Sequence, residues 1–430
     1  MGKKIMNPAD SKYKNYLQIL REELVPAMGC TEPIAIAYGA AKARDTLGGI
    51  PDRVRVEASG NIIKNVKSVI VPNTNHLKGI EAAVAAGIVA GKSEKILEVI
   101  ADVSEEQKLD IARYIKDHNI EVTNANTGLI FDIIITLYKG TEYVKLRISH
   151  YHTNISLVEK NGKILFQVGD VAAKEEGLAD RSQLNIEDII DFADTVLLED
   201  VDKLIGRQID YNYAIAQEGL RGNYGANIGR VMLNTYGNDI KNRAKAMAAA
   251  GSDARMGGCE LPVIIVSGSG NQGMAASLPV IEYAKELNVG REKMIRAVLL
   301  SDLVTIHQKT GIGRLSAYCG AVSAGCASAT GIAYLMGGRY DEIAHTLVNS
   351  LAIVSGIVCD GAKASCAAKI VSAVDAGILG YYMYENGQQF YVGDGIVTKG
   401  VENTLRNIGR LGKEGMKETD KEIIKIMIGE

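Results

Sequence analysis

Apolar residues recur at helical spacing from the start of the chain. Tyr13, Leu17, Leu20 and Leu24 share one face and predict a helix over 11–25 that stops before Pro26. The stretch GCTEPIAIAYGAAKARDTLGG predicts a second helix, opened at Thr31 or its neighbours and closed by Gly48 and Gly49. DRVRVEASG alternates and predicts a strand. KSVIVPNTNHLKGIEAAVAAGIVAG predicts a strand, a loop and a helix of small residues, and 93–117 predicts two further short helices.

The pattern changes between Thr127 and Val168, where β-branched residues and turn signals dominate. YKGTE and KNGK predict hairpin turns, because Asn and Gly tolerate the positive φ that tight turns need. An antiparallel sheet of three or four strands follows, with a helix over 184–196 to cover it. Residues 128–205 are therefore expected to form a separate α+β module. From 206 onward the pattern is helical and rich in Ala and Gly, with loops at GSDARMGGCE and SGSGNQG. The fold class expected is α+β: a mostly helical, Gly/Ala-rich part with a smaller antiparallel-sheet module in the middle of the chain.

Composition narrows the function classes. The 430 residues are 47% hydrophobic and 23% charged, as in soluble globular proteins. A net charge of −3 gives no electrostatic case for nucleic acid or an anionic membrane, and without Trp and with 4 Phe there is little to stack on bases. The N-terminus lacks the apolar core of a signal peptide. The longest uncharged run, Leu315 to Gly338, is too rich in Gly, Ala and Ser for a favourable membrane span and reads as buried helix. A cytoplasmic location is expected. Six cysteines do not suggest a secreted disulfide framework, so they are expected as thiols or metal ligands.

Three of those cysteines have the spacing C-x39-C-x6-C: Cys319, Cys359 and Cys366. A structural zinc site normally takes four ligands, often in C-x2-C pairs. Three soft thiolates suit an iron–sulfur cluster with one iron left open; the alternative is three buried small apolar side chains. On an unbroken helix Cys359 and Cys366 would stand about 10 Å apart along the axis, and Asp360-Gly361 offers a break that would bring them together. Cys326 is an alternative ligand, and Cys259 reads as a loop or core thiol. Cys30 precedes a helix start, where the dipole favours thiolate. It reads as a nucleophile, a general base or an inert buried thiol.

Two polar loops follow apolar runs. SGSGNQG (267–273) exposes backbone N–H groups that can cradle an anion, and its neutral donors suit a carboxylate better than a polyphosphate. PNTNH clusters Asn73, Thr74, Asn75 and His76, either as an ordinary capping loop or with His76 as general acid or base. His307 reads as structural, and His150 and His152 as surface residues of the sheet module.

Taken together, VPAMGCTEPIAIA, PNTNHLKG, SGSGNQG, CGAVSAGCA and GIVCDGAKASC resemble the L-cysteine desulfidase family, which is related to the alpha part of iron–sulfur L-serine dehydratases. The resemblance runs over nearly the whole chain and is weakest in the sheet module. It implies an oxygen-sensitive [4Fe–4S] cluster held by Cys319, Cys359 and Cys366. It also implies a catalytic domain built from 1–127 and the cluster-binding part 206–430, with 128–205 inserted. The dehydratases carry a CQGE-like segment where this chain has CGAV, Cys-Asp-Pro where it has Cys-Asp-Gly, and Ser where it has Cys30. That last departure points to L-cysteine as substrate. Some dehydratases place a C-terminal cysteine in the site; here no cysteine follows Cys366.

The reaction implied is β-elimination of L-cysteine to hydrogen sulfide, pyruvate and ammonia. Thr31, Asn73, Thr74, Asn75, Ser269, Asn271 and Gln272 would bind the substrate, Cys30 would be the first candidate base and His76 the second. The partners expected are a small amino acid and a second copy in a homodimer. An L-serine dehydratase using the same cluster is the alternative. A pyridoxal-phosphate lyase is disfavoured because no lysine is paired with a phosphate loop. A non-catalytic iron–sulfur redox sensor is disfavoured by the lack of a basic patch or DNA-binding signature.

Overall fold

Eight strands form two sheets in the computed structural model, which describes residues 6–168, 179–313 and 315–428. The strands are β1 (Pro26–Met28), β2 (Arg53–Ala58), β3 (Ile120–Asn124), β4 (Asp132–Lys139), β5 (Glu142–Ser149), β6 (Ile155–Lys160), β7 (Lys163–Gln167) and β8 (Pro262–Ile264). The larger sheet has the order β3-β2-β4-β5-β6-β7. β2 and β3 are parallel and the other neighbours antiparallel, so the expected antiparallel meander is present within a mixed sheet. Its strands do not all lie within 128–205, since β2 and β3 come from earlier in the chain.

One face of this sheet is covered by helix Thr31–Leu47. Ile133, Ile135 and Leu137 of β4, with Val144, Leu146 and Ile148 of β5, alternate along their strands and are fully buried. Gly39 on the helix lies against them: a Cβ there would stand 3.0 Å from Ile135 and 3.1 Å from Ile148. The helix and sheet therefore approach more closely than an Ala-to-Ile contact allows.

Apart from β1 and β8, which pair antiparallel, the remaining described elements are helices, so the α+β class with a dominant helical part is what the protein adopts. Small residues allow backbones to touch. Gly87 faces the carbonyl of Ala37, which a Cβ would approach to 2.2 Å, and Gly219 faces that of Ala250 at 2.0 Å. Helix Gly320–Leu335, from the uncharged run, is buried along nearly its whole length among other helices. Among the described residues no helix is long and apolar enough to cross a membrane.

Helix Ile186–Thr195, expected to cover the sheet, instead joins the helical part. Phe192 packs between Tyr13 and Tyr16, with ring centroids 5.3 and 5.2 Å away, and Arg296 donates to the carbonyl of Ala193. Position 205 falls inside helix Leu198–Arg221. Two local expectations also change. KSVIV forms no strand: a helix, Gly60–Val66, precedes it, and only an isolated bridge, Ile70 to Lys78, remains. GSDARM is not a loop but the last turns of helix Ile240–Met256. At GSDARM every residue from Gly251 to Met256 is buried, and that burial outweighs local propensity.

Candidate functional site

Three cysteines reach one cavity by two local devices. Cys319 caps helix Gly320–Leu335, and a bridge between Tyr318 and Val358 sets its loop beside the next. The N–H of Cys359 donates to the carbonyl of Ala317 at 2.6 Å. The chain then turns at Gly361, whose φ is +94° and where a Cβ would lie 2.4 Å from the carbonyl of Lys64. Only glycine fits there. Helix Ser365–Glu385 begins just after, with Cys366 in its first turn. Cys319, Cys359 and Cys366 all line the cavity, whose volume is about 90 Å³.

The sulfurs interact. A hydrogen bond between Cys319 and Cys359 lowers the acidity of the first thiol and favours ionisation of the second; Lys64, the N–H of Gly361 and Lys369 add to the shift at Cys359. Burial raises the Cys366 thiol. Lys64, almost fully buried, also pairs with Asp420 at 2.5 Å.

The SGSGNQG loop forms the adjoining wall. Helix Gly270–Glu286 starts there with Ser269 as its cap. Ser269, Asn271 and Gln272 line the cavity, and the amide oxygens of Asn271 and Gln272 are buried without a hydrogen-bond partner among the described residues. Gly320, next to Cys319, lies against Gln272: a Cβ would stand 2.9 Å from its amide. The polar loop and the first cysteine thus share a boundary.

Charge is concentrated at the same place. Arg255 is 1% exposed, lines the cavity, and donates from Nε to the carbonyl of Gly29 at 2.9 Å. Among the described residues no carboxylate lies within ion-pair distance of it. A buried guanidinium without a counter-ion is costly, so an anionic ligand would stabilise it. Glu32 also lines the cavity; its Oε2 accepts from the thiol of Cys30 at 3.1 Å and its Oε1 from Asn65 at 3.0 Å.

Residues 94–425 match the family described as the serine dehydratase alpha chain, a stretch that holds the three cysteines, the SGSGNQG loop and Arg255, while Cys30, Glu32, Asn61, Lys64 and Asn65 of the cavity wall precede it. The chain belongs to the serine dehydratase alpha chain family. It is also similar over nearly its whole length to proteins named UPF0597. The one from Desulfitobacterium hafniense is 66% identical and covers 99% of each chain. That from Treponema denticola is 48% identical, covering 97% of this chain and 98% of the relative. That from Fusobacterium nucleatum is 45% identical, covering 97% and 99%. Family membership makes this a lyase-type enzyme.

Several expected site residues of this family member lie elsewhere. Thr31 is not in the cavity wall; its hydroxyl donates to the carbonyl of Gly268 at 2.6 Å and anchors the SGSGNQG loop. Asn73 is buried and donates to the carbonyl of Ile100 at 2.8 Å, and Thr74 donates to that of Val71 at 2.6 Å. Asn75 and His76 are exposed, and none of these four lines the cavity. Asn73, Asn75 and His76 stand in left-handed backbone, and the helix that follows, Gly79–Ala90, starts at Lys78 without a side-chain cap.

Cys30 does line the cavity, but its expected thiolate character is not supported. Burial raises its pKa well above the usual thiol value, and the negative Glu32 adds to this; Arg255 opposes both. Desolvation here outweighs the helix dipole. Cys326 is fully buried within its helix and Cys259 sits elsewhere, so neither lines the cavity. His152 corrects the surface reading: it is 8% exposed, lines the cavity and packs edge-on against Phe131 at 4.8 Å. His307 bonds Glu402 at 2.7 Å, in keeping with a structural role.

Sequence reasoning missed Glu32, Arg255, Lys64 and Asn65. Their only local signal is a charged or amide side chain within an otherwise buried helix, which becomes informative once the burial is known.

Proposed function

We propose that the protein is an iron–sulfur lyase that eliminates sulfide from L-cysteine, leaving pyruvate and ammonia. The observation that carries this reading is the convergence of Cys319, Cys359 and Cys366 with the SGSGNQG loop and Arg255 on one cavity. The family resemblance noted from the sequence supports the same reaction.

Among the described residues no group of three or more His, Cys, Asp or Glu side chains converges on a single metal ion. A four-iron cluster makes a different demand, because each thiolate takes its own iron. Three soft donors, from a helix cap, a loop and the first turn of a helix, beside Lys64 and Lys369 that favour thiolate at Cys359, fit that demand. Cys319, Cys359 and Cys366 would hold the cluster. When bound, it supplies a Lewis acid for the departing sulfur.

The chain's own groups account for the remaining steps. Arg255 would take the substrate carboxylate through its terminal nitrogens, since Nε is already occupied by Gly29. The open amide oxygens of Asn271 and Gln272 would accept from the α-ammonium group. These contacts orient an α-amino acid and exclude water from the reacting carbons. Loss of the α-proton and departure of sulfide leave aminoacrylate, whose hydrolysis yields pyruvate and ammonia. All six cysteines are free thiols, which suits a reducing compartment.

The family name favours a second reading, L-serine dehydration in the same cavity. Anaerobic purification with iron and sulfide counts, followed by kcat/KM on both amino acids, tests both. A higher value for L-cysteine supports the proposal. A preference for L-serine replaces it with the second reading, and protein that reconstitutes no cluster overturns both.

A further inference from the structure

The groups that bind substrate do not explain where its α-proton goes. Cys30 is buried, its thiol donates to Glu32, and burial pushes its pKa above the ordinary thiol value, so it is a poor base. His76 is outside the cavity. Glu32, two residues after Cys30, has the features a base needs. It is 8% exposed and lines the cavity. Among the described residues, no lysine or arginine lies within ion-pair distance to tie up its charge. Cys30 donates to one carboxylate oxygen at 3.1 Å and Asn65 to the other at 3.0 Å. Each oxygen can accept more than one hydrogen bond, so both remain able to take a proton.

We propose that Glu32 is the catalytic base of the elimination, and that Cys30 and Asn65 are positioning residues that fix the orientation of its carboxylate. This rests on the lyase reading above. The Cα–H bond breaks and its proton passes to a Glu32 oxygen. The electron pair forms the Cα–Cβ double bond as the Cβ–S bond breaks, and sulfur leaves with its pair as sulfide. No oxidant or reductant is consumed. The direction of the Cys30 hydrogen bond matters: the thiol donates to the carboxylate, so Cys30 supports the base without being one.

The test compares Glu32→Gln, Glu32→Asp and Cys30→Ala with wild type in cluster-reconstituted protein. Iron content is measured for each, together with exchange of the α-hydrogen of L-cysteine and of L-serine with solvent deuterium. The expectation for Glu32→Gln is unchanged iron, with exchange and turnover reduced about 10²- to 10⁴-fold. Glu32→Asp, which keeps the carboxylate, should recover part of the loss. Cys30→Ala should cost clearly less than Glu32→Gln.

Retained exchange in Glu32→Gln overturns the proposal, as does a larger loss in Cys30→Ala than in Glu32→Gln. A wild-type protein inactive on both amino acids despite a full cluster overturns the lyase reading itself, and the proposal with it.

A second measurement needs no turnover. Alkylation of Cys30 at pH 8, followed on its own peptide by mass spectrometry, should be several-fold faster in Glu32→Gln, because the neighbouring negative charge that disfavours thiolate is gone. An unchanged rate would show that the two side chains do not interact and would overturn the positioning role.

Discussion

Arg255 and Gly29 are joined by a hydrogen bond of 2.9 Å from the guanidinium Nε to the peptide carbonyl. The bond links the end of helix Ile240–Met256 to the turn before Cys30, and it leaves the rest of the guanidinium toward the cavity. Replacing Arg255 by Met should raise KM for the amino acid about 10- to 100-fold, the loss of one charge-assisted contact of about 1.5–3 kcal/mol. Iron content should stay within error. Unchanged KM would remove Arg255 from carboxylate recognition.

The cluster assignment separates Cys319, Cys359 and Cys366 from Cys326. Cys319→Ser, Cys359→Ser and Cys366→Ser should each lose most of the iron and the visible absorbance of the anaerobic protein. Cys326→Ser should keep both, because Cys326 is buried in its helix away from the cavity. Iron loss from Cys326→Ser alone would show that the ligand set is wrong.

His152 and His150 are separated by one residue and should behave differently. His152→Ala removes part of the cavity wall against Phe131 and should raise KM several-fold with iron retained. His150, which does not line the cavity, should tolerate Ala with turnover within a few-fold. Steady-state kinetics on the two variants decide; equal effects would place both outside the site.

Asp253 should give a measurable pH dependence of stability. Burial raises its pKa from 3.8 to about 6, opposed by hydrogen bonds from Gly229 and Ala226 N–H groups. A raised carboxyl pKa means that the folded state binds the proton more tightly than the unfolded state. Its stabilising contribution is complete below pH 3.8 and is lost as pH rises through about 6. The melting temperature of wild type minus that of Asp253→Asn should therefore fall between pH 4 and pH 7. A difference that rises over that range would contradict the assigned shift.

The sequence alone determined most of the local structure and the chemistry of two walls of the site. Tyr13, Leu17 and Leu20 mark a helix through their spacing, and YKGTE and KNGK mark hairpins because only a few residues tolerate the backbone they need. Gly361 likewise marks the turn between Cys359 and Cys366, for its left-handed φ is a property of that residue. Tertiary structure decided the rest. SGSGNQG and PNTNH look equally polar in the sequence, yet one faces the cavity and the other is held away by the bond from Asn73 to the carbonyl of Ile100. The parallel pairing of β2 with β3 joins segments that are distant in sequence, and no periodicity encodes such a partner. Arg255 and Glu32 are ordinary charges along the chain. They become functional candidates only where burial removes water and leaves them facing one cavity, and the same burial reverses the acidity expected of Cys30 at its helix start.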